Sequence, residues 1–178
     1  VDDRGLVDAV MAGDRDAFRL LVEREQVAVY RACLRILGRP HDAEDVAQES
    51  FVMAYRALGS YRGEGPLGGW LMRICMRQAF RRLGQRRETS ELPADLPTRS
   101  LAADPLAATL AGERQREIRS AVAALGEPYR EVVALRFFGE LSLNEISSVT
   151  RRPINTVKTH LRRGLQRLRP ILAREVAA

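Results

Sequence analysis

Residues 141–169, LSLNEISSVTRRPINTVKTHLRRGLQRLR, contain two short amphipathic helical patterns divided by a proline-bearing turn, and this pairing constrains the chain more than any other stretch. Leu143, Ile146 and Val149 recur every three residues, and Ile154, Val157 and Leu161 form the inward stripe of the second pattern. Ser142 with Glu145 three residues on is a capping box, in which hydroxyl and carboxylate each satisfy an orphan amide at the first helix's start. Asn155 is the expected N-cap of the second helix. The turn needs a residue in the left-handed region, and with no glycine there Thr150 or Arg151 must supply it, at a cost of roughly 1 kcal/mol. The whole reads as a helix-turn-helix. Its second helix carries Asn155, Thr156, Lys158, Thr159, Arg162 and Arg163 on or beside the outer face, groups that reach base edges and phosphates. The plain alternative is a helical hairpin with a solvated basic face. Against it, Arg151 to Arg169 includes seven cations and no carboxylate, whereas a solvated face mixes signs.

Outside this motif the patterning is helical throughout, so an all-α fold is expected. Asp14 and Gly38 bracket one long helix with a stripe of Phe18, Leu21, Val22, Val29, Cys33, Ile36 and Leu37. Pro40 restarts the chain into a third helix running to about Leu58. A glycine-rich loop over residues 59–69 and a fourth helix from Trp70 follow. Residues 88–105, ETSELPADLPTRSLAADP, lose all periodicity and carry three prolines, the signature of a linker. Two small helical domains, 1–87 and 106–178, follow from that break. In the second, Pro128 is expected at the first position of a helix ending near Gly139.

The net charge of +6 favours a polyanionic partner, while the 23 acidic residues make the excess local. Arg73, Arg77 and Arg81 fall at i, i+4 and i+8 and form one cationic row suited to a phosphate backbone. Before them, Tyr61, Arg62 and a glycine-lined backbone from Gly63 would enclose an unstacked base, although such a loop is commonly a turn. Trp70 begins an apolar stripe and reads first as core. Asp42, Asp45 and Glu49 lie along one helical face beside Gln48, without a histidine placed to complete a metal site. Cys33 and Cys75 sit singly in apolar patterns and read as buried small hydrophobes. No hydrolase, Walker or zinc motif is present, so neither catalytic residues nor a cofactor or metal is expected. With no apolar run of about 18 residues and acids near the start, a cytoplasmic protein without membrane insertion is expected.

Taken together, DAFRLLVE, DAEDVAQESFVMAYRAL and YRGEGPLGGWLMRICMRQAFRRLGQRR, followed by ALGEPYREVVALRFFGELSLNEISSVTRRPINTVKTHLRRGLQRLR, resemble the extracytoplasmic-function sigma factors of bacterial RNA polymerase. The likeness covers nearly the whole chain. It implies that Asp42, Asp45, Gln48 and Glu49 dock on core RNA polymerase. It further implies that Tyr61, Arg62, Gly63, Trp70, Arg73, Arg77 and Arg81 meet melted −10 promoter DNA. Asn155, Thr156, Lys158, Thr159, Arg162 and Arg163 match the positions that read the −35 element. An anti-sigma factor is implied as a further partner. Arg77 stands where the family usually carries Asn, and Lys158 and His160 where it often has Arg. A stand-alone helix-turn-helix regulator would explain residues 141–169 yet leave the acidic helix and the loop without a task. A nucleic-acid enzyme would have to show turnover dependent on residues 42–49.

Overall fold

The computed structural model describes residues 2–88 and 105–173; the predicted linker therefore lies almost wholly outside the described residues. Eight α-helices appear among them, joined in the first half by one 3-10 turn, Leu58–Ser60. The first four are α1 (Asp3–Met11), α2 (Arg15–Leu37), α3 (Pro40–Ala57) and α4 (Leu67–Glu88). The remaining four are α5 (Pro105–Ala124), α6 (Tyr129–Phe137), α7 (Leu143–Thr150) and α8 (Ile154–Leu172).

Local chemistry sets most of these boundaries. The Asp14 carboxylate accepts from the amides of Asp16 and Ala17 and starts α2, and Gly38 ends it at φ 71° with its amide on the Leu34 carbonyl. A side chain there would meet the Arg119 guanidinium at 2.6 Å. Helix α4 begins at Leu67, three residues before the expected Trp70, because its first turn is capped from a distance. The Leu67 amide donates to Asp3 Oδ2 at 2.6 Å, and Leu67 itself is fully buried. Gly68 and Gly69 thus belong to the helix and not to the loop.

In the second half, Pro128 is the N-cap of α6 and not its first residue, and Phe138 is the C-cap. The capping box at α7 forms with both bonds, the Glu145 amide on Ser142 Oγ at 3.2 Å and the Ser142 amide on Glu145 Oε2 at 2.7 Å. Arg151 takes the left-handed conformation at φ 55°, and Thr150 stays helical with its hydroxyl on the Ile146 carbonyl. The N-cap of α8 is Pro153, two residues ahead of the expected Asn155. Proline's fixed φ, here −52°, starts the helix without a side-chain cap, so Asn155 falls inside the first turn. Replacing Ser142 with Ala is expected to cost about 1 kcal/mol, read as a lowered denaturant midpoint with unchanged slope.

Helices α2, α3 and α4 pack on one another through Val29, Cys33, Ile36 and Leu37, Val46 and Phe51, and Leu71, Met72 and Cys75. Helix α1 closes one end with Leu6, Val7 and Val10 against Leu21, Leu58 and Leu67. In the second half α6 packs across α8, where Gly164 permits the approach: a Cβ there would lie 2.7 Å from Val133 Cγ2. The two halves do not stand apart. Val132, Leu135, Leu141, Ile146, Val149 and Val157 continue the same buried cluster begun by α2, α3 and α4. The contact runs chiefly from α4 to α6 and α7.

Candidate nucleic-acid interface and docking surface

Within the helix-turn-helix the turn is fixed by its own backbone. The Arg151 amide donates to the carbonyls of Ser147 and Ser148, and Ser147 Oγ donates to the Arg152 carbonyl at 2.6 Å. Helix α8 is thereby held at a set angle with Val157 buried and Asn155, Lys158, Arg162 and Arg163 exposed. Thr156 and Thr159 are half-buried, and the Thr159 hydroxyl donates to the Asn155 carbonyl at 2.9 Å. No carboxylate among the described residues pairs with Lys158, Arg162 or Arg163, so their charge is available to a polyanion. Arg167 differs: its guanidinium lies 4.2 Å over the Tyr129 ring and serves the α6–α8 contact. Burial, then the charges of Arg152 and Arg163, hold the His160 imidazole below its usual range and favour its neutral form.

The cationic row on α4 is present but largely engaged. Arg73 Nε reaches Glu131 Oε1 at 2.7 Å while its Nη1 donates to the Val149 carbonyl at 3.0 Å. Arg77 reaches the same carboxylate oxygen at 3.3 Å, and Arg152 takes the other at 2.8 Å. Burial alone would raise the Glu131 pKa, but the hydrogen bond and charge of Arg73, joined by those of Arg152, outweigh it and hold the group below the ordinary carboxylate value. Glu131 is therefore ionised. Of the row only Arg81 is exposed without a carboxylate partner among the described residues. Arg82 and Arg86, on the same helix, turn the other way: Arg82 meets Glu49 at 2.9 Å, and Arg86 donates to the Leu37 carbonyl at 3.0 Å.

The loop ahead of α4 is shaped by Tyr61, whose hydroxyl donates to the Gly65 carbonyl at 2.6 Å and whose ring meets Trp70 edge-on at 5.8 Å. Gly63 (φ 75°) and Gly65 (φ 79°) supply left-handed backbone that other residues adopt only at a cost. Arg62 and Gly63 are exposed, and Trp70 is half-buried, facing both the loop and the core. A cleft of about 510 Å³ opens here, between Arg62, Trp70, Arg73 and Arg77 on one side and Ser148, Val149 and Arg151 of the helix-turn-helix on the other. The cleft brings Arg62 and Trp70 together with Arg73 and Arg77 under a cover from α7, while Tyr61, Gly63 and Arg81 are not among its lining residues.

The acidic side chains of α3 divide into two kinds. Asp42 is 18% exposed, 3.2 Å from Arg86 and 3.8 Å from Arg82, which ties α3 to α4. Asp45 and Glu49 are 42% and 46% exposed, and Gln48 is exposed beside them. Cys33 and Cys75 are fully buried with their sulfurs 3.2 Å apart. The hydrogen bond from Cys33, with burial, pushes the Cys75 thiol well up, away from the thiolate that redox or metal chemistry needs.

Sequence reasoning did not single out Glu131, the carboxylate on which three arginines converge. Its only trace in the sequence is a lone acid in PYREVVALRFF, and no spacing rule pairs it with residues 58 and 54 positions earlier. Arg35 and Glu140, paired across the two halves, were equally silent.

An all-α chain with a helix-turn-helix whose exposed face is cationic, and with a second loop-and-arginine surface, has the outline of a promoter-recognition protein. The sequence matches Sigma-70 region 2 over residues 21–89 and Sigma-70, region 4 over residues 115–168. It is 32% identical over 173 residues to the ECF RNA polymerase sigma factor SigW of Bacillus subtilis, covering 92% of each chain. It is 33% identical over 173 residues to the RNA polymerase sigma-H factor of Pseudomonas aeruginosa, covering 91% of this chain and 89% of that one. Among solved structures it is similar to CnrH in complex with the cytosolic domain of CnrY, at 25% identity and a TM-score of 0.62, covering 96% of this chain and 97% of that one. The chain belongs to the ECF sigma factors of the sigma-70 family. It directs RNA polymerase to promoters and is not an enzyme. Among the described residues no helix is long and apolar enough to cross a membrane.

Proposed function

We propose that the work of a sigma factor is divided along this chain into three surfaces. The domain of residues 1–87 docks on core RNA polymerase and captures melted −10 DNA. The domain of residues 106–178 reads the −35 element, and residues 88–105 connect them. Asp45, Gln48 and Glu49 form the docking face on α3, with Asp42 holding that helix to α4 through Arg82 and Arg86. Tyr61, Arg62, Gly63 and Trp70 receive an unstacked base, Arg62 and Trp70 from the wall of the cleft and Tyr61 by holding the loop closed on the Gly65 carbonyl, and Arg73, Arg77 and Arg81 take the backbone of the separated strand. Asn155, Thr156, Lys158 and Thr159 face base edges in the major groove, and Arg162 and Arg163 contact phosphates. Binding a pocketed base and a single strand but not their paired form shifts the duplex toward the melted state, with no nucleotide hydrolysed.

The observation that carries this reading is the co-occurrence of α8 cations that pair with no carboxylate among the described residues with a cleft between the loop and the arginine row on α4. A lone helix-turn-helix regulator needs only the first. An anti-sigma factor is the third partner. The similar chain CnrH was solved with the cytosolic domain of CnrY, and RpoE of Bartonella quintana, alike in fold, with the anti-sigma factor NepR. The test is to mix the protein with sigma-free core RNA polymerase and map transcript starts on genomic fragments. Specific starts sharing two upstream elements are expected. Absence of core binding together with a duplex footprint by the protein alone would transfer the reading to a free-standing regulator.

A further inference from the structure

Three of the arginines just assigned to DNA or to the turn beside it converge on one carboxylate of their own chain. Glu131 sits on α6 of the second domain, its side chain 9% exposed, and receives Arg73 and Arg77 from the first domain and Arg152 from the turn. A carboxylate with both oxygens engaged by guanidinium donors offers the same single negative charge as a backbone phosphate and a comparable pair of acceptor oxygens. Around it the two domains are fastened at further points. Arg35 of α2 donates to the Phe138 carbonyl at 3.0 Å and pairs with Glu140 at 2.5 Å. Glu64 of the base-capturing loop pairs with Arg151 at 2.5 Å.

Packing shows that this contact is built into the chain. A Cβ on Gly65 would lie 2.7 Å from Ser148 Cβ, one on Gly69 3.1 Å from Val149 Cγ1, and one on Gly139 2.9 Å from Met72 Cγ. Glycines therefore occur where each domain meets the other's side chains. Phe80 and Phe138 meet across the same seam with centroids 6.5 Å apart.

We infer that Glu131 is an internal stand-in for promoter phosphate, which keeps the two domains closed and the strand-binding arginines occupied until DNA or polymerase binding displaces it. The inference rests on the assignment of Arg73 and Arg77 to the separated strand. Because the carboxylate is tethered, it competes at high effective concentration, and a single strand binds the closed chain only by paying for its opening. Helix α8 is different: its outer face is exposed in the closed chain, so duplex reading does not require opening. The seam thus selects against melted-strand capture specifically.

The test uses the full chain and two substitutions, Glu131→Gln and Arg35→Gln. Solution scattering should give wild type a radius of gyration near that of one compact body of 178 residues, about 16 Å. Both variants should expand. Affinity for a fluorescent mixed-sequence 12-nucleotide single strand should rise at least about fivefold in each, the lower end of coupling between linked sites. Arg35→Gln separates the latch from simple electrostatics. Loss of a cation by itself weakens DNA binding, whereas loss of the clasp strengthens it. It also leaves the Glu131–Arg152 pair inside the second domain intact, so a folding defect confined to Glu131→Gln cannot decide the matter. Expansion of the Arg35 variant with tighter single-strand binding supports the latch. An unchanged radius, or unchanged or weaker single-strand binding by that variant, overturns it. Promoter-specific initiation by wild type with core polymerase is scored separately, so failure of the latch and failure of the sigma assignment give different results.

Discussion

Reversing charge at Asp45 and Glu49, with Lys at both positions, is expected to abolish association with core RNA polymerase while leaving the chain folded. Both carboxylates are close to half exposed. Among the described residues the only ion-pair partner of Asp45 is His41, at 3.8 Å and itself 87% exposed, so Asp45 contributes little to the fold. Glu49 loses one exposed pair with Arg82, a change of the order of 0.5 kcal/mol. At a docked interface the same reversal puts like charges together, at a cost of several kcal/mol, and every 1.4 kcal/mol is tenfold in affinity. Loss of two to three orders of magnitude in a competition assay on core polymerase is therefore expected, with duplex binding by α8 retained. Core association within threefold of wild type would remove α3 from the docking surface. Asp42 makes an informative contrast. Its contacts to Arg82 and Arg86 lie inside the first domain, so Asp42→Ala should lower stability more than it lowers docking.

What the sequence disclosed and what it hid separate along a physical line. Most interactions within four residues were readable: the Ser142–Glu145 box, the Asp14 cap and the Gly38 stop appear as the spacing suggested, and of the two candidates for the left-handed position, Thr150 and Arg151, it is Arg151 that takes it. They depend on local backbone geometry, which residue type and separation specify. Helix starts were missed for two reasons, a distant group and a competing neighbour. Gly68 and Gly69 looked like loop residues because glycine is a poor helix former, and it took the Asp3 carboxylate, brought round by α1, to cap a helix starting at Leu67. Asn155 looked like an N-cap because its side chain is suited to that role, but Pro153 starts the helix two residues earlier by its own fixed torsion. The candidate surfaces followed the same division. Which side chains share the face of α8 was legible, since helical period dictates it. That Arg73 and Arg77 spend their charge on Glu131 was not, because the pairing crosses from α4 to α6.

Replacing Arg162 and Arg163 together with Ala is expected to weaken binding to −35 duplex and to flatten its salt dependence. Both are exposed on α8 without a carboxylate partner among the described residues, so their removal breaks no ion pair there. Each phosphate contact releases condensed counterions, giving a slope of about −0.9 in log affinity against log salt per contact. Losing two contacts should make the slope less negative by about 1.8, so the affinity gap from wild type is widest at low salt and closes as salt rises. Base preference should survive, because Asn155, Thr156, Lys158 and Thr159 remain in place on the same helix. Arg167 provides the internal control. It lies on the same helix with the same charge, but its guanidinium stacks over Tyr129, so Arg167→Ala should lower the melting temperature and change the salt slope little. The two variants differ by position on one helix and not by charge removed, and this makes the comparison decisive. Equal slopes for wild type and the Arg162–Arg163 variant would mean that phosphates are met elsewhere and that the exposed face of α8 is not the duplex-reading surface.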